Sequence, residues 1–519
     1  MTSAAPTEPP VDLVVVGSGG GALTGALLAA RAGLRTVLLE RTGLLGGTSA
    51  YSGGACWLPG SAVQQRAGLV DSTSSARAYL RAVLAPTPDW APDAERIAAF
   101  LAHAPGVVAA LEEAGVPFEW LPFPEYYDAP GRVPAGRSVQ PERITRDELD
   151  PGLAALIRPP VERDRAGQGG RRTLTGGQAL IARLAQGFVE AGGTVLTGHC
   201  VRSLLTEAAP GGGERVVGVW ATTPEGAVEI RARRGVLLGS GGFERNPERR
   251  REHGVPGEAA WSMAPPETNL GEPIAAALAA GAAADWSGHG WFCPGLEQPD
   301  GGGSFTVGFR GGIMLDRAGR RYGNECLPYD RFGRLMAAAP ERVPSWFVFD
   351  SREGGGLPAI AMPEGDAEAH LAAGTWVRAD TLADLAPLIG LDPARLEAEV
   401  ARFNGHCAAG HDPEFGRGED EYDTFFAWGD GPGPNRALVP LEIGPFTAAR
   451  FVLSDLGTKG GVAIDARGRA LRPDGSALPG LYACGNAASS LFGPYYPGPG
   501  APLGSAMVTA AMAVEDLRG

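Results

Sequence analysis

The chain has 519 residues, 44% of them hydrophobic and 20% charged, with a formal net charge of -14. That length predicts two to four domains, or one large domain carrying an inserted lobe. An acidic chain without a basic block is repelled by nucleic acid and by anionic membrane surfaces, so neither is an expected partner.

Residues 1–10 are polar and Pro-rich, with no basic residue and no apolar core, so no signal peptide is expected there. Val11–Val16 reads as a buried strand, followed by Gly17-Ser18-Gly19-Gly20-Gly21-Ala22, an Ala/Leu-rich helix, and a second strand from Thr36 that ends in Glu40. Strand, glycine turn, helix, strand and acid in that order form a βαβ dinucleotide fingerprint. Gly17 suits the tight turn, Gly19 lets backbone approach a pyrophosphate, and Ala22 keeps helix and strand close. The helix N-terminus offers N–H groups and partial positive charge to the phosphates. Glu40 lies about 20 residues on, where a ribose hydroxyl partner belongs, and Arg41 beside it is a further expected contact.

The next loop, Leu44 to Gly54, is rich in glycine and small hydroxyls. Gly46, Gly47, Thr48, Ser49, Tyr51, Ser52, Gly53 and Gly54 are expected to wrap the flavin end of an FAD. Thr73–Leu84 and Ala94–Ala114 have a helical pattern. Phe118 to Tyr127 holds five aromatics in ten residues, with prolines that rule out a regular helix, and reads as an apolar wall.

Thr175–Ala191 reads as a helix, Gly193–Leu205 as one strand, and Val216–Trp220 as a strand pairing with Gly226–Ile230. Arg234–Phe243 reads as a buried strand returning to the sheet and resembles the second chain crossing of FAD-binding folds, which implies backbone beside the adenosine, with Val201 and Gly241 as expected contacts. Residues 285–449 have a different character and read as an inserted α+β lobe. In it, Phe305–Arg310 is a strand region, Gly311–Asp316 and Gly319–Glu325 form a hairpin-like pair, and Trp346–Asp350 is a strand. Leu382–Leu388 and Ala394–Gly405 are helices, the second opened by Asp392-Pro393 as cap and first-turn residue.

The last 70 residues return to the cofactor domain. Ser454–Gly461 reads as a turn, Val462–Asp465 as a strand, and Pro479–Asn486 as a strand ending in Gly485 and Asn486. A helix is expected from near Leu503, with Pro502, Leu503 and Gly504 facing the flavin and the helix dipole favouring negative charge there. This C-terminal return favours FAD over NAD. The predicted class is α/β, a Rossmann-like FAD-binding domain (1–284 and 450–519) interrupted by a catalytic domain (285–449).

Six scattered cysteines without a CxxC pair support neither a zinc site nor a disulfide framework, so free thiols in a reducing, cytoplasmic setting are expected. No apolar run reaches the roughly 18 residues of a membrane span. Without a histidine near residues 40–60, the FAD is expected to be non-covalent.

Five stretches carry a closer resemblance: Gly46–Gly54, Pro124-Glu125-Tyr126, Asn324-Glu325 with Pro328-Tyr329-Asp330-Arg331, Ser454–Gly461, and Tyr496–Gly500. On them the chain resembles the fumarate reductase/succinate dehydrogenase flavoprotein superfamily. Within it, the chain is similar over almost its full length to the 3-ketosteroid Δ1-dehydrogenase family. The resemblance implies removal of two hydrogens from C1 and C2 of a 3-ketosteroid A ring, with hydride transfer to flavin N5. Tyr496 and the backbone N–H of Gly500 match the donors to the C3 oxygen, Tyr329 the base that takes the C2 proton, and Tyr126 the tyrosine supporting that base. An unidentified electron acceptor is implied as a partner. Lys459, the sole lysine, either orders a loop near the cofactor or lies on a solvated turn. Glu325 and Asp330 are read as structural ion-pair partners rather than groups that tune Tyr329.

Three alternatives are weighed. A 3-oxo-5α-steroid 4-dehydrogenase of the same superfamily would act at C4 and C5. A fumarate reductase-like enzyme needs His and Arg for two carboxylates, and Gly485–Ser505 contains neither. A flavin-binding protein without turnover would have no use for the tyrosines.

Overall fold

A computed structural model describes residues 11–209, 212–427 and 435–519. The reading of residues 1–10 lies outside them. The chain divides into two units: one holds residues up to Gly254, Ala264–His289 and Gly457–Gly519; the other holds Val255–Met263 and Gly290–Leu456. The divisions fall at 289/290 and 456/457, not at 284/285 and 449/450, and Val255–Met263 goes with the second unit. Each later division lies inside a continuous strand, which is why a change in composition does not mark it.

The first unit begins with β1 (Val11–Val16), α1 (Gly20–Arg31) and β2 (Thr36–Leu39), as the apolar pattern predicts. α2 (Ala94–Glu113) buries Phe100, Leu101, Ala104, Val107, Val108 and Leu111. Among the described residues it is the one helix long and apolar enough to cross a membrane by length and composition. The alanines between its spaced charges carry that hydropathy, which a search for uninterrupted apolar runs overlooks.

The single strand expected over Gly193–Leu205 is two: β3 (Thr194–Leu196) and β4 (Cys200–Ala208). Gly198, at φ +70°, breaks them, so β3 extends the parallel sheet while β4 pairs antiparallel with β5 (Glu214–Thr223). β6 (Gly226–Leu238) pairs antiparallel with β5 and then runs parallel to β1, with Val14 opposite Val236.

In the second unit, β7 (Ala284–Leu296), β8 (Ile313–Leu315), β9 (Ser345–Phe349), β10 (Trp376–Ala379) and β11 (Phe446–Val462) make a five-stranded sheet. Helices Leu382–Leu388 and Pro393–Ala409 cover it, burying Leu385, Leu396, Val400 and Phe403 against Ile313, Leu315 and Val348. The hairpin expected over 311–325 reduces to one bridge, Leu315 with Arg321. β8 instead pairs with β9, and Asp316 closes the turn after it by accepting the N–H groups of Ala318 and Arg320. α3 (Tyr329–Ala337) was not foreseen.

Ser454–Gly461 is not a turn: β11 continues straight through it. Gly457 (φ +135°) and Gly460 (φ +101°) are positions of close approach. A Cβ at Gly457 would lie 2.1 Å from Asn486 Nδ2, and one at Gly460 2.6 Å from the Asp285 carbonyl oxygen. Glycine in a strand often marks such an approach.

The chain closes with β12 (Arg469–Leu471), β13 (Ala477–Ala483) and α4 (Ala501–Arg518). The eight-stranded sheet of the first unit then runs β12-β13-β6-β1-β2-β3, with β5 and β4 branching from β6. α4 starts at Ala501, two residues before the expected Leu503, because Gly500 caps it in the left-handed region at φ +80°.

α1 and α4 pack through small residues. A Cβ at Gly20 would meet Leu503 Cδ2 at 2.9 Å, one at Gly21 the Ala506 Cβ at 2.8 Å, and one at Gly25 the Ala510 Cβ at 3.3 Å. Gly21→Val should therefore force the helices apart and lower stability by about 1–3 kcal/mol. Gly43→Ala, where nothing lies within 4 Å of the added Cβ, should leave urea unfolding unchanged. Equal midpoints for the two variants would refute this account of the packing.

Candidate active site

The contacts between α1 and α4 advance together along both helices, so the two run parallel with their N-termini side by side. Both positive helix ends therefore sit at one place. Around them the structure gathers most of the expected cofactor residues. Gly17 adopts φ +99°, and a Cβ there would lie 2.6 Å from the Gly239 carbonyl oxygen. Gly19 faces open space except for Ser49 Oγ. Ala22 lies against Gly239, where a Cβ on the glycine would come within 2.7 Å. The turn thus has the tight Gly17 bend and the close helix–strand packing at Ala22 that its spacing implies, with space left at Gly19.

The loop after β2 closes onto this turn. Ser18 Oγ donates to Glu40 Oε2 at 2.5 Å and accepts the Gly46 N–H. Ser49 Oγ accepts the Gly20 N–H at 3.1 Å. Ser52 Oγ donates to the Ser49 carbonyl and accepts the Gly54 N–H, so it shapes the loop itself. Gly47 and Gly53 face open space. Glu40 Oε1 accepts from the N–H and Oγ1 of Thr42. With about four acceptor sites on a carboxylate, one on Glu40 remains.

Thr48 Oγ1 and Ser240 Oγ are buried without a hydrogen-bond partner. Buried hydroxyls are ordinarily paired, so an orphaned pair beside a glycine turn fits a polar ligand such as a dinucleotide. Ser240 was not singled out in the sequence; its position next to the Gly241-Gly242 turn was the available signal.

Other expected contacts are held by protein groups. Arg41 pairs with Glu272, which Arg202 also reaches. The Tyr51 hydroxyl donates to Asp164, itself paired with Arg158. Burial, and then that bond, push the Tyr51 hydroxyl upward in pKa. Val201 is buried within β4, opposite Ala221. Gly241 (φ +78°) packs against Asn269. Gly485 opens a short 3-10 turn that includes Asn486. Pro502 lies in the first turn of α4, and Gly504 lies against the Trp57 carbonyl.

Three of the four expected catalytic residues belong to the first unit. The Tyr126 and Tyr496 rings lie 5.2 Å apart, and both residues are buried. The Tyr126 N–H donates to the Pro497 carbonyl at 3.2 Å. Tyr79 Oη donates to the same carbonyl at 2.6 Å, and Ser138 Oγ to that of Pro499 at 2.6 Å. The Gly500 carbonyl accepts the N–H groups of Trp57 and Gly504. A Cβ at Gly500 would lie 2.0 Å from the Ala55 carbonyl oxygen, so sterics and backbone angle both require glycine. Lys459 is buried, and its Nζ donates to the Tyr495 carbonyl at 3.0 Å, so it orders the Tyr495-Tyr496 loop and is not on a solvated turn.

Tyr329 belongs to the second unit and opens α3 after Pro328. Its buried ring meets Phe305 edge-on at 4.7 Å. Asp330 pairs with Arg334 at 3.2 Å, and Glu325 is clamped by Arg321 and Arg417. Burial opposes ionisation of Glu325, but the two guanidiniums outweigh it and hold the carboxyl below its usual range. Both acids are thus engaged in structural ion pairs.

The FAD binding domain family model matches residues 12–503. The chain is 39% identical over 533 residues to a 3-oxosteroid 1-dehydrogenase of Rhodococcus opacus, covering 98% of each chain. It is 32% identical to a 4-oxocyclohexanecarboxylate 2-dehydrogenase of Sinomonas cyclohexanicum, covering 98% of this chain and 93% of the relative. A 3-ketosteroid Δ1-dehydrogenase from Sterolibacterium denitrificans, solved with 1,4-androstadiene-3,17-dione, superposes with a TM-score of 0.88 at 29% identity, covering 98% of this chain and 99% of the other. With its parallel sheet, glycine turn and tyrosine pair, the chain belongs to the 3-oxosteroid 1-dehydrogenase family of FAD-dependent oxidoreductases.

Proposed function

We propose that the protein introduces a 1,2 double bond into the A ring of 3-ketosteroids. The observation that carries this reading is the Tyr126–Tyr496 pair and left-handed Gly500 on a chain similar from end to end to a 3-oxosteroid 1-dehydrogenase.

Removing a C–H proton beside a ketone requires the carbonyl to accept charge. Tyr496 Oη and the Gly500 N–H are assigned as donors to the C3 oxygen, and the positive end of α4 adds to the field where an enolate develops. Tyr329 is assigned as the base that takes the C2 proton. A tyrosine with a pKa near ~10 is a weak base at neutral pH, so phenolate must be favoured by a donor, and Tyr126 is assigned that task. Gly17–Gly21, Gly46–Gly54, Glu40, Ser240 and the first turn of α4 are assigned to hold the cofactor without a covalent link. When bound, FAD supplies the acceptor for the hydrogen that leaves C1 with its electron pair. An external acceptor must then reoxidise the enzyme.

A second reading has the same chemistry on a smaller substrate, a single carboxylated ring bearing a ketone. It is favoured by the similarity to the 4-oxocyclohexanecarboxylate enzyme.

Anaerobic mixing of the FAD-loaded protein with a 3-ketosteroid should bleach the flavin absorbance. Bleaching by 4-oxocyclohexanecarboxylate alone would replace the first reading with the second. Tyr329→Phe should retain FAD and lose bleaching; a parental rate would remove Tyr329 from the mechanism. Tyr496→Phe should slow bleaching by about 10²-fold or more through the lost carbonyl donor, and an unchanged rate would reject its role. Acid precipitation should leave the flavin in the supernatant, whereas flavin in the pellet would contradict non-covalent binding.

A further inference from the structure

Beside Tyr126 lies a group of buried charges to which the reaction assigns no task. Glu125 and Arg137 are wholly buried, and the Asp71 side chain is nearly so. Glu125 Oε1 accepts from Trp57 Nε1 at 2.9 Å and Arg137 Nη1 at 2.6 Å; its Oε2 accepts the Val133 N–H at 2.9 Å. Arg137 also donates to both Asp71 oxygens at 3.2 Å, to Ser75 Oγ at 3.2 Å and to the Gly131 carbonyl at 2.8 Å. One guanidinium thus serves two carboxylates.

The indole that Glu125 holds is the surface against which the Tyr496–Gly504 segment is laid. Trp57 stacks on Phe100 at 5.9 Å and meets Phe492 edge-on at 6.0 Å. A Cβ at Gly498 would lie 2.9 Å from Trp57 Nε1, and one at Gly504 2.3 Å from the Trp57 carbonyl oxygen. The Trp57 N–H donates to the Gly500 carbonyl at 3.1 Å. Through its own chain, Glu125 leads directly into Tyr126. Glu125 is therefore next in the chain to Tyr126 and bonded to the indole on which the Tyr496–Gly504 segment lies.

We infer that Glu125 is a positioning residue: as a carboxylate it locks the Trp57 indole, and through it sets the segment bearing Tyr496 and Gly500 against Tyr126. The inference rests on the reading above for what those three residues do. All three bonds at Glu125 come from donors, so only an acceptor-only group satisfies them. A protonated acid, or a glutamine, would turn a hydrogen toward Val133, Trp57 or Arg137.

The charged and titratable groups around Glu125 are Arg137, Asp71 behind it, Arg132, whose Nη2 donates to the Glu125 carbonyl, and Tyr79, Tyr126 and Tyr127. Burial, ahead of the Arg137 attraction, pushes the Glu125 carboxyl up to about 7. The acceptor-only form is therefore gained as pH rises through that value.

The test compares the FAD-loaded parent with Glu125→Gln and Trp57→Phe. Glu125→Gln should lower kcat about tenfold with KM within about twofold, the signature of lost positioning rather than lost binding. The parent's kcat should rise as pH passes about 7, and this limb should vanish in Glu125→Gln. Hydrogen exchange needs no substrate. Amides of 496–504 should exchange about tenfold faster in both variants, with those of β1 unchanged. Parental kcat and pH profile in Glu125→Gln, or parental exchange in both variants, would overturn the inference. A parent that bleaches with no 3-ketosteroid would instead overturn the proposed reaction, leaving hydrogen exchange to decide the role of Glu125.

Discussion

The close approach of α1 to α4 is the constraint on which the first unit depends. Glycines at 20, 21 and 25 remove the side chains that would separate the helices. The parallel contact that results brings two N-termini, each about twenty residues from an opposite end of the chain, to the same edge of the sheet. Unpaired N–H groups and partial positive charge accumulate there. A pyrophosphate is anionic, so this packing suits the edge to a dinucleotide cofactor.

Each unit uses buried charge in its own way. At Glu325 two arginines overcome burial, and the carboxyl stays easily ionised. At Glu125 a single arginine is shared with Asp71, and burial prevails. The difference is the ratio of cations to anions in a space that water does not screen. The first arrangement anchors the segment before α3, whereas the second borders the tyrosine pair.

Much of the cofactor side was legible in the residues. The order of strand, glycine turn, helix, strand and acid predicted β1, α1 and β2, and Gly17 takes the left-handed backbone that a tight turn needs. Less legible were glycines whose role is contact. Gly457 and Gly460 look like turn formers in one dimension, yet they lie inside β11 because neighbouring groups occupy the space a side chain would need. Glu125 was visible only as a motif residue among aromatics. Its meaning depends on Trp57, 68 positions earlier, and Arg137, 12 positions later.

The residues alone determined the class of fold, the dinucleotide turn, the break of the cofactor domain by a second lobe, and the tyrosines worth testing. Each of these is written in local pattern: apolar periodicity, backbone permissiveness, or a short motif. Tertiary structure alone decided that α4 begins at Ala501 behind the Gly500 cap, that Lys459 is buried on the Tyr495 carbonyl, that Thr48 and Ser240 hold unpaired hydroxyls, and that Glu125 is wholly enclosed. Those facts arise from contacts between segments distant in the chain, and hydrogen bonding and burial depend on what surrounds a group, not on what precedes it.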